Sequence, residues 1–301
     1  MSAPTITGRA DRVGRGRSGA SALRPRTAFV LSGGASLGAL QVGMLRALYE
    51  RGVVPDLLVG TSAGALNAAF VASRPQSPAS IDQLARIWRD LHREDVFPVS
   101  ARALLGGVAS HRDHLFPDRG LRRLVRAHLQ IERLEHAHVP LHLVALDLVS
   151  GEEARLSHGP AIDAVLAATA IPGLLPPVPW GERLLVDGGV VNNTPISHAV
   201  ELGAERVFVL LTQHGSRALP TPARSGAIDV AIHGLTLLVG ARLETDLARY
   251  GNDVELIVLP AANSHHVQPT DFDHASRLIG EGLAAARTAL AAIASPESVA
   301  A

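Results

Sequence analysis

Neither cysteine nor lysine occurs among the 301 residues, and only 3% are aromatic. Without cysteine there is no thiol nucleophile, no thiolate metal site and no disulfide framework, and the redox compartment stays open. Without lysine the P-loop lysine, Schiff-base chemistry and lysine general bases are all excluded. Every one of the 28 basic residues is an arginine, balanced by 28 acidic ones. A net charge of zero offers nothing to draw the chain to nucleic acid. No apolar run reaches 18 residues, so no transmembrane helix is expected. Residues 1–26 hold six arginines and one acidic residue with no apolar run behind them, which is not a secretory signal. That stretch reads as a disordered basic tail, with contact to anionic lipid as the alternative. The expected location is cytoplasmic, with or without peripheral contact at a membrane.

What is present is an alternation of short apolar runs and helical spacings. Thr27-Ala28-Phe29-Val30-Leu31-Ser32 suits a buried parallel strand. Leu37, Leu40, Gln41, Met44, Leu45 and Leu48 then recur at helical spacing up to Gly52. A second strand is expected over 53–59 and a second helix over 63–73. Strand, glycine turn and helix, repeated, predict right-handed βαβ units and a parallel sheet covered on both faces. Further helices are expected over 81–92, 163–170, 228–250 and 274–294, and a basic amphipathic one over 121–129. That last helix is a solvated face or a lipid-surface contact. A hairpin turns about Ser150-Gly151, and strands are expected over 183–186, 206–212 and 254–259. Residues 94–118 are irregular and suit a lid, and the proline-rich stretch up to Trp180 reads as rigid loop. No composition break after residue 27 marks a second domain, so residues 27–295 are expected to form one.

Two turns have the Gly-x-Ser-x-Gly form that exposes a hydroxyl between a strand and a helix. One is Gly60-Thr61-Ser62-Ala63-Gly64, the other Gly34-Ala35-Ser36-Leu37-Gly38. Ser62 follows its strand directly, whereas Gly33-Gly34 make a flexible approach to Ser36. Successive glycine amides ahead of a helix form an anion site. The first loop therefore suits negative charge and the second a nucleophile. A nucleotide phosphate is the rival occupant of the first loop, but the dinucleotide fingerprint needs glycine where Ala35 stands.

With these turns, two more blocks complete a pattern spanning residues 31–195. They are Ala170-Ile171-Pro172-Gly173-Leu174-Leu175-Pro176-Pro177 and Asp187-Gly188-Gly189-Val190-Val191-Asn192-Asn193-Thr194-Pro195. In this order the blocks resemble the patatin-like phospholipases, serine acyl hydrolases with a Ser–Asp dyad on a three-layer α/β/α fold with a mostly parallel central sheet. The motif-bearing part is residues 27–198. The resemblance implies Ser62 as nucleophile, Asp187 as its base, and the amides of Gly33, Gly34 and Ala35 as an oxyanion hole. Gly38, Gly60, Gly64, Gly188 and Gly189 support these motifs. It also implies a lipid or other acyl-ester substrate of phospholipase A, lysophospholipase or esterase type, and neither metal nor organic cofactor. Two positions depart from the pattern: the family's usual third glycine is Ala35 here, and its arginine or lysine is Leu37.

An aspartate of ordinary pKa, about 3.9, is a weak base for a serine hydroxyl, short of a base matched to neutral pH by up to about 4 kcal/mol. One oxyanion donor is worth about 2.7–4 kcal/mol. Burial of Asp187 would raise its pKa and narrow the gap further. The dyad therefore requires a dry, preorganised site. Taken alone, Asp187-Gly188-Gly189 is a turn former. Two alternatives stay open. His198, His214, His233, His265, His266 and His274 all follow Asp187, as the third member of an α/β-hydrolase triad would. A non-catalytic relative that binds lipid or a partner is the other. His111 with His114, and His136 with His138, have ligand-like spacing but no carboxylate block beside them, so no metal site is expected. Leu174 to Pro177 and the 228–240 helix are candidate walls of an acyl pocket.

Overall fold

The computed structural model describes residues 6–7, 24–98, 113–213, 227–261 and 267–294, with backbone alone for 6–7, 227–238 and 294. Among these, nine strands, numbered along the chain, join in one sheet. Its order is β1 (Ile6–Thr7), β9 (Glu255–Leu259), β8 (Arg206–Leu210), β2 (Thr27–Leu31), β3 (Leu57–Thr61), β4 (Leu141–Asp147), β7 (Arg183–Asp187) and β6 (Val178–Trp180). β5 (Glu153–Leu156) also pairs with β4. The five strands β9, β8, β2, β3 and β4 are mutually parallel. β2 and β3 are buried at every residue, which is why their sequences are continuous apolar runs and not alternating ones.

α1 (Gly38–Glu50) follows β2 and α2 (Ala63–Ala72) follows β3. α3 (Pro78–Asp90) packs with α1 and with α10 (Ala275–Ala294) on one face of the sheet. α3 starts three residues before the expected Ile81, because Ser77 caps it and Pro78 fits its first turn. α4 (Arg93–Val96), α5 (Arg119–His128) and α6 (Ala161–Thr169) follow, then α7 (Gly189–Asn192), α8 (Ile196–Glu201) and α9 (Ala227–Tyr250). The β8–α9–β9 crossover runs along the sheet opposite to β2–α1–β3. Right-handed crossovers therefore put α9 on the face opposite α1. α8, which packs on α9, touches β2 and β3 from that side. Helix, sheet and helix make three layers, the architecture the resemblance implies. No helix among the described residues is long and apolar enough to cross a membrane.

Several boundaries differ from the sequence expectation. β3 begins at Leu57, not Val53, since Pro55 has no N–H to give a ladder, and the Asp56 amide is the first to reach β2, donating to the Thr27 carbonyl at 2.7 Å. The Asp56 carboxylate accepts from the Thr27 amide at 2.9 Å. The proline-rich stretch contains β6, whose Pro179 is tolerated because β6 is an edge strand paired only to β7. Parts of the basic segment expected to be disordered are placed. Ile6–Thr7 pairs antiparallel with β9, Arg24 forms an ion pair with Asp56, and Arg26 donates to the Leu202 carbonyl at 2.6 Å. Most of the segment expected to form a lid, residues 99–112, lies outside the described residues.

The feature that positions the site is the double occupancy of one edge of β4. β5 runs along one edge, over Leu143 to Leu146. The other edge takes β3 over Leu141 to Val144 and then antiparallel β7 over Ala145 to Asp147. Thr61 is opposite Val144 and Asp187 opposite Ala145. β3 and β7 thus meet head to head, and the chain leaving each strand emerges at the same point.

Candidate active site

Ser62 stands where β3 turns into α2, with φ 55° and ψ −125°. It and Ala35, at φ 49°, are the only non-glycine residues with positive φ among the described residues. Such conformations cost about 1–3 kcal/mol and persist where the surroundings dictate them. The surroundings here are tight. A Cβ on Gly64 would lie 2.2 Å from the Leu31 carbonyl oxygen, and one on Gly60 would lie 2.5 Å from that of Gly64. The Ser62 amide is held by the Ala168 carbonyl at 2.9 Å. Being at the start of α2, Ser62 also sits at the positive end of that helix's dipole.

Asp187 ends β7, and its amide donates to the Ala170 carbonyl at 2.9 Å. The last turn of α6 therefore pins the backbones of both residues, through Ala168 and Ala170. The Ser62 side chain lies close enough to the Asp187 carboxylate to pull its pKa down, and the carboxylate accepts from the Gly189 amide at 2.8 Å. Asp187 is 3% exposed and Ser62 8%. Burial pushes the Asp187 carboxyl up to about 6, against the pull of the Ser62 side chain and the Gly189 amide. That is the direction the dyad needs.

The rival serine has a different environment. Ser36 is 2% exposed, donates its hydroxyl proton to the Gln268 carbonyl at 3.1 Å, and gives its amide to the Pro269 carbonyl. Leu37, where the family pattern has a cation, is packed in the core. The glycine loop itself is clamped from two sides. The Gly33 amide donates to the Asn193 carbonyl at 3.1 Å, and the Gly33 carbonyl accepts from the Thr212 hydroxyl and the Asn193 side chain. Gly33 is therefore a fixed hinge of the loop, and its N–H is not free for an oxyanion. The amides of Gly34 and Ala35 have no partner among the described residues. Thr212 and Asn193 were not singled out from the sequence as clamps. Asn193 falls within the Asp187–Pro195 motif, whereas nothing local marks Thr212. Thr61 likewise donates its hydroxyl to the Asn192 carbonyl at 2.9 Å, tying the end of β3 to the segment after Asp187.

Two spaces meet at Ser62. An open cleft runs over Gly33, Gly34, Ala35, Asp187, Leu174 and Val239. An apolar cavity extends inward past Trp88, Leu121, Leu175 and Phe272. The expected walls thus divide: Leu174 and Val239 border the cleft, while Leu175 borders the cavity. Trp88 and Phe272 stack with centroids 6.5 Å apart, and Phe97 packs against Phe272 and Phe116. A chain with ten aromatic residues thus places four of them in one cluster beside Ser62.

The described lining of the cleft contains no histidine. His198 bonds Glu153 at 2.5 Å and His274 faces Asp271 at 3.3 Å. His214, His265, His266 and the side chain of His233 lie outside the described residues, as does His111. Among the described residues no three His, Asp or Glu side chains gather as a metal site.

Against known proteins, the model of the patatin-like phospholipases matches residues 29–200. The chain belongs to the patatin-like phospholipase family. An uncharacterised NTE family protein of Mycobacterium tuberculosis is 33% identical over 173 residues, 56% of this chain and 27% of that one. Patatin-like phospholipase domain-containing protein 6 of Homo sapiens is 30% identical over 229 residues, 75% of this chain and 14% of that one. The chain thus spans about a quarter or less of the curated family members it matches. Among solved structures, VipD from Legionella pneumophila aligns with a TM-score of 0.49 and 16% identity. That alignment covers 90% of this chain and 68% of VipD.

Proposed function

We propose that this chain hydrolyses lipid acyl esters, as a phospholipase A, lysophospholipase or esterase, through a dyad of Ser62 and Asp187. One observation carries the reading. A serine side chain lies beside a buried carboxylate and two unpartnered amides, where an apolar cavity opens into a cleft. The phospholipase names of the family and of its curated members support a lipid ester as substrate.

Ser62 Oγ attacks the ester carbonyl carbon as its proton passes to Asp187. The amides of Gly34 and Ala35 hold the resulting oxyanion, and the positive end of α2 favours charge there. The carbon–oxygen bond to the alcohol breaks, and the alcohol leaves with the proton from Asp187. Water then gives a proton to Asp187 and attacks the acyl-enzyme. The fatty acid departs, and Ser62 recovers its proton. The acyl chain lies in the apolar cavity and the alcohol portion in the cleft.

A fluorophosphonate probe tests the assignment. Labelling at Ser62, absent in Ser62→Ala and retained in Ser36→Ala, is the expected result. A well-folded protein that takes no label would favour non-catalytic lipid or partner binding. Label on Ser36 would reverse the roles of the two loops.

Contact with a membrane surface is part of the proposal. Leu115 is 54% exposed, and its amide bonds the Gly173 carbonyl, between Pro172 and Leu174 of the cleft rim. An exposed apolar residue at the rim of a lipid-binding cleft suits shallow insertion. Leu115→Ser is expected to weaken co-sedimentation with phospholipid vesicles, and unchanged binding would remove Leu115 from that role.

A further inference from the structure

The apolar cavity at Ser62 is lined on one side by Leu66, Trp88, Leu91 and Leu124. Behind it lies a second apolar cavity, reaching Phe70, Leu84 and Val165. Leu66, Trp88, Leu91 and Leu124 face both spaces and so form the partition between them. The two volumes are about 40 and about 50 Å³. Beyond the second cavity is a groove of about 510 Å³ bordered by Arg74, Arg86 and Arg123, and Leu91 and Leu124 reach this one too. A path from Ser62 to the far surface is therefore interrupted only by a few side chains.

We infer that this partition gauges acyl chain length: it stops the chain inside the Ser62 cavity and makes the enzyme selective for short acyl groups, which among the proposed activities favours the esterase. The inference rests on Ser62 being the nucleophile of an acyl-ester hydrolase. An apolar cavity of about 150 Å³ binds one benzene, and each of these spaces is several-fold smaller. Neither space alone is large enough for a long chain, so the partition decides whether the two can be used together.

Its members differ in how firmly they are held. The Trp88 indole N–H donates to Asn67 Oδ1 at 2.8 Å, and Asn67 Nδ2 donates to the Gly38 carbonyl and to Gln41 Oε1, each at 2.9 Å. Gln41 Nε2 in turn donates to the carbonyls of Ser32 and Leu210. Swinging Trp88 aside would leave a buried acceptor unpaired. Leu66 is on α2, one turn beyond the elbow. Leu124 is half-buried on α5 and is the softest part of the wall. Its helix is anchored independently of it, by Arg122 to Asp163 at 2.7 Å and by Arg74 to the His128 carbonyl at 2.6 Å. Truncating Leu124 therefore opens the partition without freeing the helix.

The test is kcat/KM across p-nitrophenyl esters from acetyl to dodecanoyl. One methylene in an apolar pocket changes kcat/KM by about tenfold or more, so a chain that outgrows the cavity is strongly penalised. The wild type is expected to favour chains no longer than hexanoyl. In Leu124→Ala the octanoyl-to-butanoyl ratio should rise about tenfold or more. Leu66→Ala opens the same wall from α2 and should do likewise, which covers a failure of either variant to fold. Adding Ile87→Phe to Leu124→Ala refills the second cavity and should return the ratio to its wild-type value. Active variants with an unchanged chain-length profile would overturn the partition while leaving the hydrolase standing. A folded wild type that neither labels with fluorophosphonate nor cleaves any ester would remove both.

Discussion

Asp187→Asn is expected to lower kcat/KM by about 10⁴-fold while making the protein more stable above pH 6. Replacing the aspartate of a serine hydrolase triad costs about that much in rate, and here Asp187 would itself accept the proton. The stability gain follows from burial. The carboxyl titrates near 6 in place of its ordinary 3.8. The difference, at 1.36 kcal/mol per unit, is about 3 kcal/mol against the ionised form. The folded state holds the proton more tightly than the unfolded one. Stability therefore declines as pH rises from about 4 to about 6, and the full penalty stands above that. An uncharged asparagine avoids it. The amide could still accept from Ser62 and Gly189, with a loss of about 1 kcal/mol for weaker hydrogen bonds. Urea unfolding should therefore favour the wild type by about 1 kcal/mol below pH 4 and the variant by about 2 kcal/mol above pH 6. The wild-type kcat/KM should rise tenfold per unit up to about pH 6 and then level, since only the carboxylate is a base. A variant less stable than wild type at pH 8 would mean that the carboxylate contributes favourable interactions exceeding the cost of its burial.

The same residue marks where sequence reading reaches its limit. β2, α1, the Ser62 turn and α2 carry their signals locally, in an apolar run, a helical spacing or a small-residue turn, and their outlines were legible. Ser62 and Asp187 lie 125 positions apart, and only the resemblance joined them. What physically brings them together is the head-to-head meeting of β3 and β7 on β4, a register relation with no local trace. The Gly33 amide fails as an oxyanion donor for the same kind of reason. Its partner, the Asn193 carbonyl, is a backbone atom 160 positions away, and no residue type announces it. Thr212 is equally silent, being one hydroxyl at the end of an apolar strand. The errors at Val53 and in the proline-rich stretch were different. There the information was present, but Pro55 and Pro179 have opposite consequences at the mouth of a central strand and on an edge.

Ser62→Gly and Ser62→Ala should both lose activity on the order of 10⁶-fold, the magnitude seen when a serine nucleophile is removed, yet they should differ in stability. Both remove the hydroxyl beside Asp187, so both deprive the carboxylate equally of that neighbour and any pH effect is common to the two. What separates them is the backbone. At φ 55° and ψ −125° alanine retains the strain of serine, because the Cβ causes it, whereas glycine adopts that conformation without steric penalty. Relief is worth about 1–3 kcal/mol, offset by about 0.4–1 kcal/mol for the greater freedom of glycine when unfolded. Ser62→Gly should therefore be more stable than Ser62→Ala by about 1 kcal/mol at every pH, a difference readable in parallel denaturant titrations. Equal stability, or an advantage for alanine, would mean that the crowding between Gly60, Gly64 and Leu31 imposes no strain on residue 62. The exposed hydroxyl would then have to be explained without it. The expected ordering instead makes the elbow a strained turn that the parallel sheet on either side of β3 is stable enough to maintain, with the serine held ready toward Asp187.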